Sequence, residues 1–224
     1  MTENEKIIVH MLEKMNDINA IKPGEVPDIA LYMDQVLTFM DNHIGDKDQI
    51  PEDHILTKTM INNYTKNDLL PPPVKKKYSK EHMYVLTFIY YLKNLLSINE
   101  IQTLLNPMTD HFFADADKEL DIEDIYREIY ELEKVQRDSE ADQVKAMRKL
   151  SDTSFKDVDD EEKRKFLQFL SLISLMSFDV YLKKKMIQDM IADFSESGSA
   201  LLRPSGDKKD KKEKKEKKNN SKDA

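Results

Sequence analysis

The chain has 224 residues, a formal net charge of −8 and a mean hydropathy of −0.66. It contains no cysteine, which excludes disulfides, thiolate metal sites and a cysteine nucleophile. It also has only 4 glycines, and its many leucine, methionine, lysine and glutamate residues favour helices over sheets. These properties predict an all-α protein with a polar surface and a sizeable apolar core.

The first predicted element is an amphipathic helix over residues 3–19, within an N-terminal segment of residues 1–22. Its acidic sequence lacks the basic start and the apolar block of a signal peptide, so we expect a cytoplasmic protein. The apolar residues of this helix recur at helical spacing: Ile7, Ile8, Met11, Met15 and Ile18.

After the break "IKPGEVPD", a second helix is predicted to follow Asp28 as its N-cap. A polar connector, "GDKDQIPEDH", separates it from a third helix that begins after Thr57 and ends near Lys66. The core candidates in the second helix are Leu31, Met33, Val36, Leu37 and Met40, and in the third helix Met60, Ile61 and Tyr64.

A proline-rich turn, "LLPPP", follows the third helix and leads into three lysines. Ser79 then caps a long predicted helix, and "SINE" (Ser97 with Glu100) is a capping box that opens a shorter one. We expect that shorter helix to end at Asn106–Pro107. The predicted core stripe of the long helix consists of Val85, Leu86, Ile89, Leu92 and Leu96.

Residues 108–200 are predicted to be a helical C-terminal region. Ile122, Ile125, Ile129 and Leu132 form the seam of a helix pair, packed either within one chain or between two copies. The apolar residues 163–192 predict a buried core helix, with a membrane span as the alternative because basic triplets flank the apolar stretch. Residues 201–224 predict a disordered, lysine-rich tail.

Positive charge is concentrated in one folded part of this acidic chain. Residues 54–106 hold seven basic and three acidic residues, which gives +4, whereas residues 1–53 hold four and twelve, which gives −8. The lysines of the basic segment surround the prolines and a polar helix face. Such a local basic surface indicates an anionic partner.

The order of these segments resembles the MerR-type winged helix-turn-helix. In that family a recognition helix ends in a turn similar to "GLLPP", a wing closes on "YS", and a helix similar to "LxFIxxLKxxxSxxEIxxLL" packs behind. This chain has "NDLLPPP", "KKKYS" and "LTFIYYLKNLLSINEIQTLL" in that order, within residues 28–107. More narrowly, "LYMDQV", "TKTMINNY" and "LLPPPVKKKYS" resemble an uncharacterised bacterial family described only as a domain of unknown function.

The winged-helix resemblance implies a bacterial transcriptional regulator that binds double-stranded DNA. Asparagine can pair with adenine in the major groove, and wing lysines can contact phosphates. It also implies a homodimer and an unidentified small-molecule effector, and we expect no membrane partner, cofactor, metal site or catalytic residue. The expected DNA-binding residues are Lys58, Thr59, Asn62, Asn63, Lys66, Lys75, Lys76 and Lys77.

Departures from the MerR pattern leave a second interpretation open. Asn62 stands where the family usually carries an arginine, and the short wing lacks the usual Gly-Tyr-Arg. The alternative is a non-enzymatic protein-interaction adaptor on a winged-helix scaffold. An enzyme is not expected, because the chain has no glycine-rich phosphate loop and no nucleophile elbow.

Overall fold

The structure, a computed structural model, describes His10 and residues 21–44, 56–113 and 120–196. Apart from His10, the predicted N-terminal helix lies outside these residues, as do the polar connector and the lysine-rich tail. Of the described residues 72% are helical, in six helices with one two-stranded sheet, which confirms the mainly helical class. The elements are β1 (Leu31–Tyr32), α1 (Met33–His43), α2 (Lys58–Lys66), β2 (Lys77–Tyr78), α3 (Lys80–Leu92), α4 (Ile98–Phe112), α5 (Ile122–Ser151) and α6 (Glu161–Glu196).

The small sheet joins the start of α1 to the segment before α3. β1 and β2 are antiparallel, with Leu31 opposite Tyr78 and Tyr32 opposite Lys77. The prediction that Asp28 caps the second helix is therefore wrong, because residues 31 and 32 pair as an extended strand and α1 begins at Met33. Asp28 instead accepts a hydrogen bond from Nζ of Lys80 at 2.7 Å.

Helix α3 lies at the centre of the core, and most of its residues are buried. Three residues of its predicted stripe, together with Leu96 beyond the helix end, are buried, and Leu92 packs partly against them. The ring of Tyr84 lies 4.6 Å from the ring of Tyr126 on α5, and the Tyr126 hydroxyl donates to the carbonyl oxygen of Ile21. These contacts join the first described segment, α3 and α5 into one core.

Helix α4 begins at the predicted capping box but does not end at the predicted proline. The backbone N–H of Ser97 donates to the Glu100 carboxylate at 2.7 Å. The helix continues through Pro107 to Phe112, although proline removes one helical hydrogen bond. It continues because Met108 and Phe112 beyond the proline pack against the core.

Helices α5 and α6 form an antiparallel pair within the chain. Near the turn that joins them, Nε2 of Gln168 donates to the carbonyl oxygen of Asp152 at 3.0 Å. Farther along, Nζ of Lys183 lies 3.7 Å from the Glu140 carboxylate. The predicted seam on α5 is correct only in part, because Ile122 is buried whereas Leu132 is 61% exposed.

The prediction that residues 163–192 form a buried core helix is wrong. Within α6 only Leu172 and Ile191 are buried, and many large apolar side chains face solvent. Apolar residues occupy much of the helix circumference, whereas α5 and the first turn of α4, where Glu100 accepts a hydrogen bond from Gln188, cover only part of it. Among the described residues, α6 is the one helix with the length and composition that could cross a membrane.

Candidate nucleic-acid interface

Helix α2 has one buried face and one polar face. Thr57 begins the helix as predicted, and its Oγ1 accepts a hydrogen bond from the backbone N–H of Met60 at 3.2 Å. Ile61 and Tyr64 are buried, which fixes the rotation of the helix about its axis. All five predicted polar residues are exposed on the other side and are called the α2 face: Lys58, Thr59, Asn62, Asn63 and Lys66.

The end of α2 is held in a single orientation by its backbone. The N–H of Leu69 donates to the Tyr64 carbonyl at 2.9 Å, and the N–H of Asp68 donates to the Thr65 carbonyl at 3.3 Å. This is the Schellman pattern, and Asp68 has the positive φ of 58° that such a cap requires. Leu69 is fully buried, so the chain turns sharply from α2 into the prolines.

Residues 74–78, which the sequence predicts as a wing and which are called the wing from here on, contain a two-residue turn. Val74 and Lys77 exchange two backbone hydrogen bonds of 3.0 Å, and between them Lys75 and Lys76 have φ angles of 51° and 64°. Positive φ at both central residues defines a type I′ turn, which usually contains Asn-Gly. A lysine in this region is strained by about 1 kcal/mol, yet the two lysines stand exposed at its tip.

The third wing lysine differs from the other two. Lys77 is half-buried in β2, and its Nζ lies 4.9 Å from the centre of the Tyr32 ring on β1. This cation–π contact directs the ammonium group along the sheet rather than away from the turn. Seven of the eight predicted site residues are therefore exposed, and Lys77 is partly engaged within the protein.

Buried aromatic side chains attach the wing to the helices behind it. Tyr78 is buried, and its side chain hydrogen-bonds that of Thr65 on α2. His82 is also buried, and its Nδ1 accepts the backbone N–H of Ser79 at 3.0 Å. Burial lowers the pKa of His82, and the Pro72 and Pro71 carbonyl groups partly offset this effect. His82 is thus a neutral support beneath the wing.

A groove of about 570 Å³ lies beside the wing, a feature that the sequence did not indicate. It extends from β1 across the wing to the first turn of α3, and apolar side chains line much of it. Val74 and Tyr32, which border it, are 72% and 53% exposed. The neighbourhood of the two turn lysines is therefore partly apolar.

The charges of α2 suit an anion near its first turn. The first turn contains no acidic residue, and Lys58 lies at the positive end of the helix dipole. A cation there is unfavourable unless a negative group is close, whereas Lys66 in the last turn is favourably placed. Backbone N–H groups at a helix N-terminus together with a lysine can bind a phosphate.

Comparison with protein families gave one match. Residues 21–129 match the model of the Domain of unknown function (DUF1836), in agreement with the narrower resemblance. Comparison with curated proteins and with solved structures gave no match. A DUF1836 domain is therefore found over residues 21–129, from the buried Ile21 to the second turn of α5.

Proposed function

We propose that this protein is a transcriptional regulator that binds double-stranded DNA through a MerR-like winged helix-turn-helix. The observation that carries the proposal is the strained turn that exposes Lys75 and Lys76, in a segment whose Tyr78 hydrogen-bonds Thr65 of α2. Strain at two adjacent residues is retained where it serves a function. A turn that only had to connect two strands would gain stability from asparagine and glycine.

In this proposal the α2 face enters the major groove. Asn62 and Asn63 have amide groups that can pair bidentately with adenine, and Thr59 can contact either a base edge or a thymine methyl. Lys58 and Lys66 lie at the two ends of the face and bind phosphates of the flanking backbone. The buried Ile61 and Tyr64 keep this face turned outward.

The wing contributes phosphate contacts that do not depend on base sequence. Lys75 and Lys76 are exposed at the turn, and Lys77 contributes its charge from beside Tyr32. Because one head supplies only about five lysines, its affinity is modest and depends strongly on salt. A regulator of this kind is expected to act as a pair of heads on two half-sites.

The same proposal describes a cytoplasmic protein without catalytic activity, cofactor or metal. Its described residues contain no group of three or more metal-ligating His, Cys, Asp or Glu side chains. The small-molecule effector implied by the resemblance stays a prediction.

The groove beside the wing favours a second candidate, a non-enzymatic adaptor that binds protein. Exposed Val74 and Tyr32 are suited to an apolar side chain of a partner rather than to a phosphate. Charge-reversing changes in the wing would weaken both functions. A change such as Val74→Ser removes apolar area alone, so it should affect a protein partner and leave DNA binding intact.

The experiment is selection of genomic DNA fragments by the purified protein, followed by sequencing. We expect discrete sites that are enriched by the wild type and lost with Lys75→Glu/Lys76→Glu/Lys77→Glu. The matched control is Lys208→Glu/Lys209→Glu/Lys211→Glu, which makes the same charge change in the tail. The change Asn62→Ala should relax the base preference while much of the nonspecific affinity remains.

The outcomes separate the two candidate functions. Enrichment that depends on the wing lysines and not on the tail lysines supports the regulator. Failure to retain duplex DNA even at low salt overturns it and leaves the adaptor. Equal loss in the wing and tail variants would mean that net charge alone attracts DNA, which also contradicts the proposed interface.

A further inference from the structure

The largest exposed apolar surface of the described chain lies on α6. Six of its side chains are between 41% and 63% exposed and follow one side of the helix. Successive side chains of an α-helix differ in direction by about 100°, so side chains seven residues apart differ by only about 20°. Phe166, Ile173 and Val180 are spaced in this way. We call the following residues the apolar stripe: Phe166, Phe169, Leu170, Ile173, Val180 and Tyr181.

The stripe is as large as the apolar patches that mark interaction sites. Large side chains at these exposures present roughly 600 Å² per chain, the upper end of the range for the largest patch of a typical soluble monomer, and patches of this size are often functional. Pairing two such stripes would bury roughly 1,200 Å², the lower end of the range for specific protein interfaces. The side of α6 that faces α5 is already occupied, for example by Gln168 with Asp152.

The spacing of the stripe suits a second copy of the same helix in antiparallel orientation. A two-fold axis at Ile173 brings this residue against itself and brings Phe166 against Val180 of the other copy. The same axis places Phe169 opposite Ser177, whose small exposed side chain leaves room for the ring. In a parallel pair, Phe169 would meet Phe169 of the other copy and Ser177 would meet Ser177, and the two small serine side chains would leave a gap.

The charges at the ends of the stripe also favour the antiparallel pair. Under the same axis, Glu162 of one copy lies opposite Lys184 of the other, at both ends of the interface. Neither residue makes a salt bridge within the part of the chain that the structure describes, and within the chain the Lys184 charge acts at longer range on the Glu100 carboxylate. A parallel pair would instead place Lys184 against Lys184, which costs energy.

A bilayer fits less well as the occupant of the stripe. It would cover the stripe, but α6 is paired along its other side with α5, whose Glu140 and many further charges would be drawn toward lipid.

We propose that the apolar stripe is the interface of an antiparallel, two-fold symmetric homodimer formed by α6. The sequence left open whether the seam on α5 packs within one chain or between two copies, and its Ile122 is buried within the chain. The interface does not depend on the proposed function, since a chain that binds no DNA would still dimerise through α6. If both proposals hold, the dimer supplies the pair of heads that DNA binding requires.

The first test is sedimentation velocity of the full-length protein over a range of concentrations. The wild type should be a dimer, and Ile173→Glu should raise the dimer dissociation constant on the order of 100-fold because it places two like charges on the axis. The control is Met186→Glu on the same helix, which is 62% exposed but lies off the stripe. A monomeric wild type, or equal effects of the two changes, would overturn the proposal.

The second test uses the absence of cysteine from the chain. Under mild oxidation Ile173→Cys should form a disulfide-linked dimer, because residue 173 faces itself across the axis. Phe166→Cys should not link to itself, since the two copies of residue 166 lie about 21 Å apart along the helices. It should link to Val180→Cys when the two variants are mixed.

Each outcome of the second test decides between arrangements. Self-linking of Phe166→Cys faster than Ile173→Cys would mean a parallel pair and would overturn the proposal. A monomer that floats with anionic phospholipid vesicles in a density gradient, and that loses flotation with Ile173→Glu, would assign the stripe to lipid instead. Circular dichroism of each variant establishes that α6 stays helical.

Discussion

The wing turn allows stability and function to be changed in opposite directions. Lys75 and Lys76 both have positive φ, and each costs about 1 kcal/mol relative to a residue that favours this region. Replacing them with Asn and Gly should relieve about 2 kcal/mol of strain, while the added freedom of glycine in the unfolded chain costs about 0.7 kcal/mol. The free energy of unfolding should therefore rise by about 1 kcal/mol, which corresponds to about 3 °C in Tm.

Urea unfolding followed by far-UV circular dichroism measures the gain in the free energy of unfolding. The affinity for duplex DNA measures the effect of losing the two charges. The control is Lys75→Gln/Lys76→Gln, which removes the same charges but keeps side chains that disfavour positive φ. We expect the Asn-Gly variant to be more stable than both the wild type and the Gln-Gln variant, and both variants to bind DNA weakly. If the Asn-Gly variant is no more stable than the Gln-Gln variant, the turn is not type I′ and the two lysines are not strained.

Three further changes test the supports of the fold. Tyr126→Phe removes the buried hydrogen bond to the Ile21 carbonyl and should cost about 1–2 kcal/mol in urea unfolding. Ser97→Ala removes the α4 cap, in which Ser97 Oγ accepts the Glu100 N–H at 3.3 Å, and should lower stability by about 1 kcal/mol in the same assay. For His82, burial lowers the folded pKa below the unfolded value of 6.5. As the pH falls, the unfolded chain is therefore protonated at a higher pH than the folded protein, and the free energy of unfolding should decrease below about pH 6.5. His82→Gln, which keeps an acceptor for the capping box, should flatten that part of the stability–pH curve measured by thermal unfolding.

Features that depend on neighbouring residues in the sequence could be predicted. The start of α2 at Thr57 and the capping box of α4 at Ser97 follow from short side-chain patterns. The outward position of the α2 face follows from the burial of Ile61 and Tyr64, which the sequence indicated by their spacing. Such local signals are independent of how the chain folds elsewhere.

Features that depend on distant partners could not be predicted. β1 pairs with residues about 46 positions later in the chain, and its two residues carry no strand signal of their own. The type I′ turn was missed because Lys75-Lys76 lacks the asparagine and glycine that usually mark it. The burial of α6 was predicted wrongly because its apolar sequence does not reveal how much of its surface the rest of the chain covers.

The most direct test of the proposed DNA-binding interface is the affinity for a duplex across a salt series, measured by fluorescence anisotropy. The logarithm of the binding constant should fall linearly with the logarithm of salt concentration, and Lys75→Gln/Lys76→Gln should reduce that slope by about 2, one for each lost phosphate contact. Lys208→Gln/Lys209→Gln in the tail should leave the slope nearly unchanged. No binding at low salt, or an unchanged slope in the wing variant, would contradict the account.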